Sequence, residues 1–260
     1  MSLPRPSPGV PSGDALLQVF LDFDGTLVDP NVAILLVERF CPDGPRLAHE
    51  VDELLHNGTI TLREAWRRQV ELLREEQIPA MAAWVAENIP FREGAPELLA
   101  LLKTRNVPTT IVSGGLDFYI QPILDRAGID LPVLCDSAIV ADGGRLEVTH
   151  PYGHPTCRLC GICKANVVRR VGTAVPRTVF VGDGSTDRYA AEVADIVFAR
   201  RRLVLYCERA GIPFYRFEGF APVTHQLERW LSGAEPLPPP RRVGLASSAC
   251  PISQAAAAEA

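Results

Sequence analysis

Two aspartates one residue apart, Asp22 and Asp24, stand at the end of an apolar run that extends from residue 16 to residue 23. Such a run predicts an interior strand of a parallel sheet. Ligands of these sheets bind beyond the carboxyl ends of the strands, which is where both carboxylates would lie. Since neighbouring carboxylates repel each other, they need a cation or a proton between them. The pair therefore predicts a site that combines a metal ion, a carboxylate nucleophile and a general acid.

Three further segments place polar residues where a strand is predicted to end or a helix to begin. Apolar strands are predicted over 107–112 and 178–181, and a helix over 165–171. Because the carboxyl ends of parallel strands share one edge of the sheet, we expect the polar residues beside these elements to meet the two aspartates. These residues are Ser113, Gly114, Lys164, Asp183 and Asp187.

In chain order the motifs read D-x-D-G-T, S-G-G, K and G-D-x-x-x-D. This order resembles the haloacid dehalogenase superfamily of phosphotransferases, and the resemblance extends over residues 15 to 230. It implies an α/β fold, with a Rossmann-like doubly wound parallel sheet and a helical cap inserted after the first motif. It also implies phosphomonoester hydrolysis through an aspartyl-phosphate.

In that chemistry the two aspartates divide nucleophilic attack from proton transfer. Asp22 is the candidate nucleophile, because a carboxylate that attacks phosphorus splits hydrolysis into two easier steps. Asp24 is the candidate general acid and base, which protonates the leaving alkoxide and then takes a proton from water. This role requires a raised pKa, and burial of Asp24 under a cap would raise it.

Residues from three motifs are expected to hold the phosphate. Thr26 follows a glycine that permits a sharp turn and leaves backbone amides free for phosphate oxygens. Ser113 and the amide of Gly114 are expected at the start of the following helix, where N–H groups and the dipole favour anions. A simple helix N-cap is the alternative for Ser113. Lys164 would neutralise charge on the phosphoryl group in the transition state.

Mg²⁺ is the expected cofactor, since a hard cation prefers oxygen ligands. Its protein ligands would be the carboxylates of Asp22 and Asp183 and the backbone carbonyl of Asp24. Asp187 would steady the metal-bound waters or Lys164.

The sequence divides into a core, an inserted cap and two tails. Residues 14–29 and 91–231 are predicted to form the phosphatase core. Residues 30–90 hold four successive helical patterns without strands between them, which predicts a cap that closes over the site. Residues 1–13 and 232–260, rich in proline or ending in alanines, are predicted to be disordered tails.

Three longer stretches resemble the phosphoserine-phosphatase-like branch, and within it the 2-hydroxy-3-keto-5-methylthiopentenyl-1-phosphate phosphatases of methionine salvage, which act on an enol-phosphate. The rival family is phosphoserine phosphatase. It has a Glu and a cap Arg where this chain has Asn31 and Gln69, and neither replacement supplies charge for an ammonium or a carboxylate. Arg67 or Arg68 could substitute for the missing cation. The three stretches are Ser113–Tyr119, Cys160–Lys164 and Val197–Arg200.

A cysteine cluster, C-x-x-C-x-x-C, is formed by Cys157, Cys160 and Cys163 just before the lysine motif, with His150 and His154 upstream. Thiolates and imidazoles at this spacing can bind Zn²⁺, which would brace the loop that presents the lysine. Three reduced thiols in a tight loop are the alternative. The remaining four of the seven cysteines are expected to be buried or in the tail, and an odd total fits a reducing compartment.

Composition limits the classes of binding partner and the cellular locations that can be expected for this protein. The 260 residues carry a net charge of −5 with no basic patch typical of nucleic-acid binding. We find no apolar segment long enough to span a bilayer and no secretory signal. We therefore expect a cytoplasmic protein, of unassigned oligomeric state, whose partner is a small phosphorylated metabolite. Two other classes stay open: a regulator that binds phosphate without turnover, and a mutase that transfers phosphate to an acceptor other than water.

Overall fold

A seven-stranded sheet organises the part of the chain that the computed structural model describes, which is residues 15–172, 176–241 and 244–259. The strands are β1 (Gln18–Leu21), β2 (Thr109–Leu116), β3 (Val133–Val140), β4 (Leu146–Thr149), β5 (Thr178–Gly182), β6 (Ile196–Ala199) and β7 (Tyr215–Arg216). Their order is β4-β3-β2-β1-β5-β6-β7, and every neighbouring pair is parallel except β3 and β4. The predicted doubly wound α/β fold is confirmed.

The strand that precedes the paired aspartates lies at the centre of the sheet. All four residues of β1 are buried, as expected for a parallel strand covered by helices on both faces. Leu21 pairs with Ile111 of β2 on one side and with Val181 of β5 on the other. This register brings the segments that follow β1 and β5 to one edge of the sheet.

Five α-helices lie between β1 and β2, and the first four of them occupy the segment predicted as the helical cap. Side-chain caps fix where two of them begin: Asn31 Oδ1 accepts from the Ile34 amide, and Thr61 Oγ1 accepts from the Glu64 amide, each at 3.2 Å. The cap helices are α1 (Val32–Phe40), α2 (Gly44–His56), α3 (Leu62–Val70) and α4 (Ile78–Asn88).

The two faces of the sheet carry separate apolar clusters. Side chains alternate along a strand, so Leu21 packs in one cluster while Phe20 packs with Phe180 in the other. Cap residues such as Leu36 and Met81 belong to the first cluster, so the cap packs continuously with the core. The core helices are α5 (Ala95–Thr104), α6 (Asp117–Arg126), α7 (Lys164–Val171), α8 (Arg188–Val193), α9 (Arg201–Ala210) and α10 (Ala221–Leu231). Within the described residues, none of the helices combines the length and apolar character needed to cross a membrane.

The C-terminal segment, for which a disordered tail over 232–260 is predicted, contains a helix in the part that the structure describes. A final helix, α11 (Pro251–Glu259), packs against α7 and α8. The buried carboxylate of Glu192 accepts hydrogen bonds from the hydroxyls of Tyr206, Ser248 and Ser253. These hydrogen bonds to Glu192 anchor the C-terminal segment. The polar, alanine-rich composition of the segment does not reveal them, since serines are buried only when an acceptor such as the Glu192 carboxylate satisfies their hydroxyls. The other predicted tail, residues 1–13, lies outside the described residues.

Candidate active site

Asp22 follows β1 at the carboxyl edge of the sheet and is buried. Its backbone amide donates to the carbonyl of Val181, 2.9 Å away, which continues the pairing with β5 for one more residue. Thr26 Oγ1 donates to Asp22 Oδ2 at 2.8 Å, and Lys164 Nζ donates to Asp22 Oδ1 at 2.6 Å. Both carboxylate oxygens of the predicted nucleophile are therefore fixed in orientation, and Thr26 and Lys164 lie beside it as expected.

Lys164 joins two motifs that are distant in sequence. Its side chain is buried, and Nζ also donates to Asp187 Oδ1 at 2.7 Å. Burial acts to lower the pKa of Lys164, but the Asp187 and Asp22 carboxylates more than offset it and hold the pKa above its ordinary value. The lysine is thus a fixed positive charge between two carboxylates, including the expected contact with Asp187.

Three carboxylates converge beside this lysine. One oxygen each of Asp22, Asp183 and Asp187 lies within 4.8 Å of the others. Asp187 Oδ2 is held by the backbone amides of Asp183 and Gly184, each 2.9 Å away. Burial, followed by the charge of Asp187, raises the pKa of Asp183 to about 7 and that of Asp22 well above its usual range.

This arrangement fits a divalent cation. The donors are all oxygens, as Mg²⁺ prefers. The pKa values of Asp22 and Asp183 are raised first by burial and second by the neighbouring carboxylate, and a bound cation would offset both effects. The cluster of three carboxylates includes Asp187, whereas the predicted set of metal ligands has the backbone carbonyl of Asp24 as its third member. Asp187 accepts from Lys164 and from two backbone amides, whereas each oxygen of Asp22 accepts a single hydrogen bond, so Asp22 keeps more capacity to bind a cation than Asp187 does.

The carboxylate of Asp24 is not a member of the three-carboxylate group, and both of its oxygens accept hydrogen bonds from other residues. Oδ1 accepts from the amide of Val32 and Oδ2 from the hydroxyl of Tyr119, each at 2.8 Å. Burial raises the pKa of Asp24 to about 6, and the hydrogen bond from Tyr119 opposes that rise. A side chain at Gly115 would place its Cβ 2.2 Å from the Tyr119 hydroxyl and 2.6 Å from Asp24 Oδ2, so this contact requires glycine there. A carboxyl that titrates near neutrality can serve as both acid and base.

The structure corrects the predicted setting of Ser113 and Gly114. Both residues lie within β2, and α6 begins only at Asp117, so neither is at a helix start and Ser113 is not an N-cap. A register shift in the pairing with β3 between Ser113 and Leu116 extends the strand past the expected turn. Ser113 Oγ accepts from the Gly115 amide at 2.9 Å, and its hydroxyl is a hydrogen-bond donor to the Asp24 carboxylate. Ser113 also lines the same cavity as Asp22.

Two buried arginines were not predicted as part of the site. Arg92 donates to the carbonyls of Thr26 and Gly25 at 2.8 and 2.9 Å, and Arg200 donates to the Gly25 carbonyl at 2.6 Å. Gly25 itself has φ +77° and lies so close to Asp183 that a Cβ would be 2.3 Å from Oδ2. The arginines therefore fix the loop that carries both aspartates. In the sequence, the only sign of this role is that Arg200 ends the stretch Val197–Arg200, for which a family resemblance but no contact is predicted.

A cavity of about 740 Å³ opens between this edge of the sheet and the cap. Asp22, Asp24 and Ser113 line its floor, and Asn31 and Gln69 line its cap side. The volume suits a small metabolite with its phosphate at the sheet edge.

The cysteine cluster lies in the described segment before α7, and zinc binding there stays a prediction. Cys157, Cys160 and Cys163 do not form a group with three ligand atoms within 4.8 Å of one another, whereas the aspartates do. Nδ1 of His154 accepts from the backbone amide of Cys157 at 3.0 Å, which ties that nitrogen to the loop. Burial raises the pKa of Cys160 to about 12 and that of Cys163 to about 11, which favours thiols over thiolates. The other four cysteines are buried free thiols, as expected.

Comparison with known proteins agrees with this geometry. A family model described as haloacid dehalogenase-like hydrolase matches residues 19–192. The chain is 28% identical over 219 residues to proteins named 2-hydroxy-3-keto-5-methylthiopentenyl-1-phosphate phosphatase from Bacillus thuringiensis (strain Al Hakam) and Bacillus anthracis. Each match covers 83% of this chain and 97% of the relative.

Solved structures share the fold. A phosphoserine phosphatase, described as a phospho-aspartyl intermediate analogue, superposes with a TM-score of 0.63 at 22% identity, covering 82% of this chain and 98% of that one. A phosphoserine phosphohydrolase-like protein from Francisella tularensis subsp. tularensis SCHU S4 gives 0.64 at 20% identity, covering 81% and 99%.

Proposed function

Because the chain belongs to the haloacid dehalogenase-like hydrolase family, we propose that it is a phosphatase that hydrolyses a small phosphomonoester through a phosphoaspartate on Asp22. The observation that carries this proposal is the position of Lys164. It donates at 2.6 Å to Asp22 and at 2.7 Å to Asp187, so a fixed positive charge lies directly beside the carboxylate nucleophile that lines the cavity.

In the first step an Asp22 carboxylate oxygen attacks phosphorus and the bond from phosphorus to the leaving oxygen breaks. Asp24 gives its proton to that oxygen, so the alcohol leaves neutral and Asp24 becomes a carboxylate. Its pKa of about 6 keeps a usable protonated fraction near neutral pH. Tyr119 and the Val32 amide hold the carboxyl in place during the transfer.

In the second step water attacks phosphorus, and the bond between phosphorus and the Asp22 oxygen breaks. Asp24 takes a proton from the water, which returns both aspartates to their starting states and releases inorganic phosphate. Lys164 and the Ser113 hydroxyl stabilise the charge on the phosphoryl oxygens in both steps.

Mg²⁺ would be held by the carboxylates of Asp22 and Asp183 and by the backbone carbonyl of Asp24, with Asp187 behind them. When bound, it supplies positive charge that offsets the repulsion between phosphate and carboxylate.

We propose that the substrate is the enol-phosphate of methionine salvage. The 28% identical relatives bear the name of that activity. Asn31 and Gln69 stand where phosphoserine phosphatase has a Glu and an Arg, and they line the cap side of the cavity as neutral groups, so neither supplies a charged partner for phosphoserine. Arg67 and Arg68, which could have substituted, pair instead with Glu64 on the exposed side of α3 and do not line the cavity.

The test is phosphate release with Mg²⁺ from the methionine-salvage enol-phosphate, phosphoserine and p-nitrophenyl phosphate. We expect the highest kcat/KM for the enol-phosphate, and none of the three should be hydrolysed by Asp22→Asn. Asp130→Asn, an exposed aspartate outside the cavity, is the matched control and should equal the parent. Preference for phosphoserine would overturn the substrate assignment, and turnover by Asp22→Asn would overturn the mechanism.

A further inference from the structure

Arg201, the first residue of α9, has a backbone conformation that arginine rarely adopts. Its φ is +46°, in the left-handed region, where a side chain crowds the backbone. Among the described residues, the other two non-glycine residues with positive φ are Asp43 and Asn106, which are types that tolerate this region better. The amide of Leu203 donates to the carbonyl of Asp183 at 2.9 Å, which ties the start of α9 to the loop of the candidate metal site. Strained residues of this kind concentrate at functional sites, so the position of the Arg201 side chain needs an explanation.

The guanidinium group of Arg201 lies between two carboxylates. Nη1 is 3.7 Å from Asp183 Oδ2, and Nη2 is 3.5 Å from Asp29 Oδ1. The side chain lines the cavity that Asp22 and Asp183 also line, and 48% of it is exposed, so it has room to move toward either partner. Asp183 belongs to the three-carboxylate group, and Asp29 does not. One protein cation is therefore shared between a carboxylate of the candidate metal site and a carboxylate beside that site.

Asp29 is held in place by two buried arginines. Its Oδ1 lies 2.5 Å from Nη2 of Arg92 and 3.9 Å from Nη1 of Arg200. Both arginines also donate to the carbonyl of Gly25, so Asp29 is fixed relative to the loop that carries the two catalytic aspartates. The hydrogen bond from Arg92, together with the charges of Arg201 and Arg200, holds the pKa of Asp29 below its ordinary value. Asp29 is therefore a fixed negative charge toward which Arg201 can turn.

Arg201 and a metal ion would compete for Asp183. An ion bound to Asp22 and Asp183 places two positive charges near the guanidinium group, and like charges at such short range repel. Without the ion, Arg201 partly neutralises Asp183, and its charge opposes the rise in the pKa of Asp183 that burial and Asp187 cause. With the ion, the carboxylate that remains for Arg201 is that of Asp29, at a similar distance.

We propose that Arg201 is the counter-cation of Asp183 in the metal-free protein and that Asp29 takes up its charge when Mg²⁺ binds, so that the two residues together set the Mg²⁺ affinity. Arg201 competes with the ion directly, and Asp29 is a positioning residue that acts through Arg201. The inference rests on the proposed function for the identity of the ion, and it concerns binding, which is measured without turnover.

The test measures the Kd of Mg²⁺ by calorimetry for the full chain and its variants. Arg201→Gln removes the competing charge and should tighten binding about three- to tenfold, as for a unit charge near a divalent ion in a solvated setting. Arg201→Lys keeps the charge and should bind Mg²⁺ as wild type does. The matched control is Arg209→Gln, an exposed arginine in the last turn of the same helix, which should leave the Kd unchanged. Raising KCl from about 0.05 M to about 0.5 M should shrink the effect of Arg201→Gln, because salt screens exposed charges.

Asp29→Asn leaves Arg201 with Asp183 as its acidic partner, so Mg²⁺ should bind about threefold more weakly. In the double variant with Arg201→Gln this weakening should shrink, since Asp29 acts through Arg201. If Asp29 only holds the Gly25 loop through Arg92, its variant should lower the Tm and weaken Mg²⁺ binding by the same factor in both backgrounds.

A Kd for Arg201→Gln that is equal to or weaker than that of wild type would overturn the proposal, whether or not Asp29→Asn folds. Equal tightening by Arg201→Gln and Arg201→Lys would also overturn it, because charge would then not be the cause. A weakening by Asp29→Asn that persists in full in the double variant would overturn the positioning role. The proposed reaction is judged separately, by wild-type hydrolysis of p-nitrophenyl phosphate. Absent hydrolysis with the expected order of Kd values would overturn the reaction alone, so the two failures are distinguishable.

Discussion

The hydroxyl of Tyr119 donates a 2.8 Å hydrogen bond to Oδ2 of Asp24, across 95 residues of sequence. This bond stabilises the charged form of the carboxylate and opposes the effect of burial on its pKa. It links the candidate acid and base to α6, a helix of the core, independently of the cap.

Replacing Tyr119 with Phe should shift the pH dependence of the phosphatase. Loss of the hydrogen bond removes support for the carboxylate, so the pKa of Asp24 should rise above about 6. Dephosphorylation needs the carboxylate form, so the acid limb of kcat should move to higher pH by about one pH unit. The measurement is kcat against pH for p-nitrophenyl phosphate, with Tyr215→Phe as the control. An unchanged acid limb would show that Asp24 does not control it.

Removal of the Lys164 charge should slow catalysis without preventing folding. Lys164→Met leaves Asp22 and Asp187 without their shared donor, and the phosphoryl group without its cation. We expect kcat to fall by about 10²- to 10³-fold. Lys103→Met, at the chain's other lysine, is exposed and should retain wild-type kcat. Equal rates in the two variants would remove Lys164 from the mechanism.

Mg²⁺ should stabilise the folded protein through Asp183. Binding to the native state raises the Tm by mass action, and we expect a rise of about 5 °C at saturating Mg²⁺ relative to EDTA. Asp183→Asn should lose this rise. In EDTA, however, it should melt no lower than wild type, because one of three mutually repelling carboxylates has been neutralised. Thermal melts with and without Mg²⁺ decide both points, and a full Mg²⁺ response in the variant would contradict the assignment.

The anchor of the C-terminal segment should contribute measurably to stability. Glu192→Ala leaves the hydroxyls of Tyr206, Ser248 and Ser253 without their buried acceptor. We expect a loss of about 2 to 4 kcal/mol in the free energy of unfolding. Urea denaturation measures it, with the exposed Glu208→Ala as control. If Glu192→Ala lowers the free energy of unfolding no more than Glu208→Ala does, the C-terminal segment is not held through Glu192.

The sequence was sufficient for the sheet and for the residues at its carboxyl edge, because apolar strands that end in short polar motifs leave a local signal. It was insufficient for Tyr119, Arg92 and Arg200, whose contacts join distant segments and have no local pattern. Ser113 was placed at a helix start because the register shift beside β3 depends on pairing between strands. The thiols had a spacing suitable for zinc, but spacing does not fix where their sulfur atoms point.

The central position of β1 also has a consequence for synthesis on the ribosome. The strand that carries the nucleophile emerges first, yet its neighbours begin only at Thr109 and Thr178, and Arg200 reaches its loop later still. For most of translation this apolar segment has no native partner, and such segments are prone to aggregate. A nascent chain halted before residue 178 would therefore be expected to depend on chaperones, with its catalytic centre still unassembled.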